Sequence, residues 1–373
     1  MKKLILIFLV SLPVFAQECR ELQTNLQYLS SDRLLGRIPG TQEHTEARNY
    51  ISEKLIKLGA VVFEHEFPGG VNIWGVLYPK HNRSGEPEVM ISAHYDHLSN
   101  CDPKKGSYSS VCNGAADDAG AIAALLNTLE KLGDKISRPV AFAVFDKEEE
   151  GLIGSQYFAN SNLLPSVKLV LNMDIIGLNP YSNMENIHLT MGGETGGEKL
   201  VTDLNSASKK SGLETYAFSY ALAHDRGDLT SFIKKGIPSI HFTDGDGSVY
   251  HSQADEYQYI NETKILKISH LIFHMALIAE KNGPYKFQSP FRGEYALPTF
   301  NDVKVGKNLV SKISQKIKAP EISNLLQGLD GIIKKGENKF SAKEMTAFQQ
   351  IALGLMEYSR NMEEIPAGNK CEN

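Results

Sequence analysis

The chain has 373 residues, 42% hydrophobic and 22% charged, with a formal net charge of −5. That length allows one large α/β domain with an addition, or two ordinary domains. No basic patch stands out, which argues against a nucleic-acid partner, and a mild acidic balance is compatible with bound cations without identifying one.

The chain opens "MKKLILIFLVSLPVFAQEC". Lys2 and Lys3 precede an apolar run too short to span a bilayer, and Val14 and Ala16 form a small-residue cleavage pattern. Residues 1–16 therefore read as a secretory signal peptide. The mature protein is expected to be exported, periplasmic or secreted, with no integral membrane segment. Four cysteines in an oxidising compartment suggest two disulfides. Cys101 and Cys112 bracket a Gly/Ser/Lys loop and can close it locally. Cys19 and Cys371 would then join the chain ends, which is one of three possible pairings.

Residues 20–59 read as helical, with a break at Gly36, Pro39 and Gly40. From residue 60 the texture changes to short β-rich runs: "VNIWGVLYP", "PEVMISAHY", "RPVAFAVF", "VKLVLNMDIIG", "ENIHLTM" and "PSIHFTD". Helical patterns fall at 118–132, 154–161, 197–211, 228–236 and 261–281. Strands alternating with helices predict an α/β sandwich around a largely buried sheet. The continuous apolar runs "VMISA" and "AFAVF" suit central strands covered on both faces. These patterns assign a domain to residues 17–282. Residues 283–373 read as a Pro/Gly/aromatic connector and a C-terminal extension of two or three helices.

Acidic and imidazole side chains cluster where the strands end. "SAHYDHL" supplies His94 and Asp96, "NGAADDAGA" Asp117 and Asp118, and "FDKEEEG" Glu148 and Glu149. "LNMDIIG" supplies Asp174, and "VYHSQADEY" His251 and Asp255. Sites in open α/β sheets form outside the carboxyl ends of strands. Mixed histidine and carboxylate ligands suit zinc, and a two-metal site needs a bridging carboxylate and a further carboxylate to take a proton from water. Glu148 and Glu149 fit if one faces metal and the other water, since cations would offset the repulsion of three successive glutamates. Asp118 is expected to cap the following helix, and its peptide with Asp117 is a place for strain that aims the bridge. Singly, each motif has a plain structural explanation; five in order at strand ends do not.

In that order, from "LSSDRLLGRIPGTQEHTEARNYISEKLIKLG" to "YHSQADEY", the sequence resembles the co-catalytic zinc aminopeptidases of metallopeptidase family twenty-eight over about residues 25–281. The resemblance implies a three-layer sandwich with a central mixed, mostly parallel sheet flanked by helices. It implies two zinc ions and a peptide or protein substrate, cleaved at its N-terminus. His94 and Asp174 would hold one zinc, Glu149 and His251 the other, and Asp117 would bridge them. Glu148 would be the general base, Asp96 would orient His94, and Tyr250 would hydrogen-bond the oxyanion. The sequence departs from the pattern at Gly120-Ala121 and at Leu229, which follows the retained Asp228. His97 and His224 read as loop residues rather than ligands. Two other readings are a single-zinc glutaminyl cyclase, against which His94 and Asp174 both stand, and a non-catalytic binding domain on the same fold. The pattern sets no oligomeric state.

Overall fold

The computed structural model describes the backbone of residues 2–371 and the side chains of 16–371. The predicted signal peptide lies almost wholly outside the described side chains. Helices α1 (Lys2–Leu29) and α2 (Gln42–Lys57) lead into a β1 (Val61–Phe67) and β2 (Gly70–Leu77) hairpin. There follow β3 (Val89–His94), α3 (Gly120–Leu132), β4 (Val140–Phe145), α4 (Ile153–Asn160), β5 (Leu169–Met173) and β6 (Ile187–Met191). The unit is completed by α5 (Gly197–Ser211), β7 (Glu214–Phe218), α6 (Leu229–Ile233), β8 (Ser239–Thr243) and α7 (Glu262–Asn282). The connector folds a small β9 (Phe291–Arg292) and β10 (Tyr295–Ala296) hairpin before α8 (Phe300–Lys316), α9 (Pro320–Lys335) and α10 (Ala342–Arg360).

Eight strands form one sheet in the order β1-β2-β4-β3-β5-β8-β6-β7. The pairs β4–β3, β3–β5, β5–β8 and β6–β7 are parallel, and the other three antiparallel. Residue alternation divides the core as strand geometry requires. Ile91, Ala93, Phe142 and Val144 face the layer of α1, α2, α3, α5 and α7. Met90, Ala141, Ala143 and Phe145 face Phe158 of α4 and Phe232 of α6. The α3 helix is apolar almost all round because it lies between the sheet, α1 and α7. The expected three-layer sandwich is therefore present.

β1 and β7 lie at the two edges and were not among the predicted strands. Both keep one side accessible, so neither has a continuous apolar run. Helices α8–α10 enclose their own core of Val303, Ile313, Ile322 and Ile332, and pack on Ile187, Tyr216 and Phe218 of β6 and β7. Both expected disulfides, Cys19–Cys371 and Cys101–Cys112, are formed. Among the described residues no helix is long and apolar enough to cross a membrane.

Candidate metal centre

The strands β4, β3, β5 and β8 are neighbours and parallel, so their carboxyl ends open on one edge. His94 ends β3, Glu148 and Glu149 follow β4, Asp174 follows β5, and His251 lies in the loop after β8. Asp117 and Asp118 leave helical geometry in a wide turn, Ala115–Ala119, ahead of α3, and the peptide between them is cis. Three residues beside this edge, Lys147, Ile175 and His251, have φ between 52° and 56°. That left-handed conformation costs non-glycine residues of order 1 kcal/mol or more each, and such strain collects at functional sites.

The two oxygens of Asp117 face different histidines. Oδ1 is 3.2 Å from His94 Nε2, which lies 3.5 Å from Asp174 Oδ1. Oδ2 is 3.3 Å from His251 Nε2, which lies 3.3 Å from Glu149 Oε2. Zinc ligands at about 2.0–2.1 Å in tetrahedral array stand about 3.3 Å apart, so these separations are those of ligand pairs around a shared ion. His94 Nε2 is also buried without a hydrogen-bond partner. The donor set therefore fits zinc.

The cluster is dense in charge. Burial opposes protonation of His94, but Asp118, Asp117, Asp174 and Asp96 outweigh it and hold the imidazole well above its ordinary pKa. The same contest raises His251 to about 10 through Asp117 and Glu149. Burial favours the neutral form of Asp117, yet the facing imidazoles of His251 and His94, with His97 near by, hold it well below the usual carboxylate range. Burial pushes Asp174 up to about 6. Burial, reinforced by Asp174, Asp228 and Glu149, pushes Glu148 well up; the residue is half-buried and lines the cavity.

The supporting shell differs in part from the sequence expectation. The Asp96 carboxylate accepts from the backbone N–H groups of Glu148 (3.0 Å) and Glu149 (3.2 Å). His94 Nδ1 instead lies 3.2 Å from the Asp96 main-chain oxygen and 3.5 Å from its carboxylate. Asp118 makes no side-chain cap to α3; its carboxylate accepts from the His94 backbone N–H at 3.0 Å. Tyr250 stacks on His251, with ring centroids 3.7 Å apart, and lines the cavity. His224 sits outside the cluster beside Asp225. His97 does not: it is buried, and its Nδ1 meets Glu149 Oε1 at 2.7 Å.

Other residues gained no role from the sequence. Asp255 accepts from the N–H groups of Ala116 and Asp117, fixing the turn that aims the bridge. Arg37, fully buried, donates to the carbonyls of Leu29, Tyr95, Asn113, Gly114 and Asp117. Gly114 sits at φ 56°, and a Cβ there would meet the Asp117 carbonyl at 2.2 Å. The Cys101–Cys112 loop grips the His251 segment: Asp102 N–H donates to the His251 carbonyl, and Gln253 N–H to the Asp102 carbonyl, both at 2.9 Å.

Known proteins share this arrangement of chain. A probable leucine aminopeptidase 2 of Arthroderma benhamiae is 25% identical over 176 residues, 44% of this chain and 32% of that protein. The matched stretch thus spans about a third of that relative. The LapA aminopeptidase of Legionella pneumophila superposes with a TM-score of 0.58 at 17% identity, covering 73% of this chain and 76% of that one. A glutaminyl cyclase of Porphyromonas gingivalis gives 0.57 at 19% identity, covering 69% and 96%. At such identities the structural matches show the fold. The sequence model of peptidase family M28 matches residues 72–276, more than half of the chain, from β2 into α7. The chain belongs to peptidase family M28.

Proposed function

We propose that the protein is an exported aminopeptidase that holds two zinc ions and releases N-terminal residues from peptides. The observation that carries the reading is the opposed pair of Asp117 oxygens, one toward His94 and Asp174 and the other toward His251 and Glu149. When bound, zinc supplies Lewis-acid polarisation of the scissile carbonyl and a water of lowered pKa. Glu148 takes the proton of the attacking water on its carboxylate and returns it to the nitrogen of the leaving amine. Burial pushes its pKa up, the direction that strengthens a carboxylate as a proton acceptor. Tyr250 donates its hydroxyl proton to the oxyanion that develops as the carbonyl is attacked. Asp96 and His97 hold Glu148 and Glu149 apart in these tasks. Export is supported by the leader-like first 16 residues and by the two disulfides.

The test is zinc per chain by elemental mass spectrometry, beside hydrolysis of aminoacyl amides with a chelator control. Two zincs and chelator-sensitive release of N-terminal residues are expected. One zinc with cyclisation of N-terminal glutamine would replace this reading with the cyclase one. No zinc after reconstitution would leave a binding domain.

A further inference from the structure

The cavity above Asp117, Glu148 and Asp174 does not end within the sheet domain. It continues as an apolar arm between Leu189, Met191 and Phe218 on one side and helices α8–α10 on the other. The helices contribute Leu309, Leu329, Phe348, Ala352, Leu355 and Met356. The last three are only partly buried, and they belong to the side of α10 that faces the cavity. Gly306 supplies no side chain where α8 borders this space; a Cβ there would meet Phe348 at 3.2 Å. The cavity volume is about 160 Å³. An apolar cavity of about 150 Å³ is large enough to hold a benzene ring.

The polar groups at the neck of the arm are tied to one another. Asp246 accepts from Arg226 at 2.6 Å and also from Arg360, at the end of α10. Arg360 in turn covers the Tyr250 ring, 4.6 Å from its centroid. Two guanidiniums share the one Asp246 carboxylate, so the neck keeps one formal positive charge, while the arm beyond it is lined by apolar side chains. A solvent-facing apolar arm continuous with a peptidase centre is suited to a substrate side chain, because burying it there removes apolar area from water on both sides.

We propose that the C-terminal helices form one wall of the substrate site, and that the arm takes a large apolar side chain, aromatic in size, on the residue whose carbonyl is attacked. The inference rests on the aminopeptidase reading for which bond is cut, and on the cavity alone for what side chain it admits. The extension is thus a specificity element, and Ala352 is the position at which the arm can be filled.

The full zinc-loaded chain and its Ala352→Phe variant are compared on amides of phenylalanine, leucine and alanine, with zinc content measured for both. Calorimetry then gives the affinities of free phenylalanine and alanine. The wild type is expected to favour phenylalanine over alanine in kcat/KM by about tenfold or more. The variant, with unchanged zinc content, is expected to lose most of that ratio. Equal rates on all three amides, or a ratio that Ala352→Phe leaves untouched, would overturn the inference and leave the aminopeptidase reading standing. If the wild type cleaves none of the amides, that reading fails, and calorimetry decides the arm. Tighter binding of phenylalanine that the variant loses would uphold it; equal binding would overturn it.

Discussion

At the residue scale, Glu148 and Glu149 are adjacent in sequence and opposite in task. Their N–H groups share the Asp96 carboxylate, and their side chains diverge, one to the cavity and one to the His251 side of the cluster. Glu148→Gln should therefore keep its zinc and lose turnover by about a thousandfold, the scale of a general base. Full activity in a zinc-loaded Glu148→Gln would remove it from the mechanism. His97 holds the Glu149 oxygen that faces away from His251. His97→Ala should weaken zinc by about 10–100-fold in chelator competition, while zinc remains recoverable at saturation. The five residues proposed as ligands were visible in the sequence because each sits in a short motif at the end of an apolar run. His97 was not, because an imidazole one residue beyond Asp96 has no local mark of burial. Its role comes from Glu149, in the loop that follows another strand.

At the scale of elements, three segments distant in sequence meet on one guanidinium. Arg37 binds carbonyls from the end of α1, the end of β3 and the turn before α3. Removing it leaves buried carbonyls without donors. Arg37→Met should cost about 3 kcal/mol or more in urea unfolding and should lower zinc retention as well. A cost under about 1 kcal/mol would show that water replaces it. The sequence marks residues 36–40 as a loop and no more, since a buried arginine in a Gly/Pro turn has no periodic signature. A second test concerns the turn after β6. Burial pushes the Glu194 carboxyl up to about 7, against the hydrogen bond it accepts from Tyr220 N–H. The folded state therefore binds a proton more tightly than the unfolded chain does. Its contribution is full below the ordinary carboxyl pKa of 4.5 and is lost as pH rises toward 7. Glu194→Gln should melt like the wild type near pH 4.5 and above it at pH 7.5. Equal melting temperatures at both would refute the shift.

At the scale of the whole molecule, the central place of β3 and β4 and the helical layers on both faces were legible, because buried parallel strands are continuous apolar runs. The edges β1 and β7 were not, and neither was the place of α8–α10, whose amphipathic patterns do not say which surface they cover. The chain returns to its start after α10: Asn179 donates to the Ala367 carbonyl, Cys371 N–H to Glu262, and Cys371 bonds Cys19 on α1. Cys371→Ser should lower stability by about 2–5 kcal/mol, read as a fall in melting temperature under oxidising conditions. An unchanged melting temperature would mean that the non-covalent contacts of residues 361–371 suffice.

That returning strap has a consequence in time. Residues 361–371 are tied to two neighbouring segments: Lys370 reaches the carbonyls of Tyr257 and Ile260, beyond His251, and Lys104 of the Cys101–Cys112 loop reaches the carbonyl of Met362. A ribosome makes the segment 257–260 about a hundred residues before the stretch that ties it down. The sheet can assemble on the nascent chain, but the segment 257–260 gains these contacts only from a late stretch of polypeptide. The contacts that fasten it therefore form only once the last residues of the chain have been made.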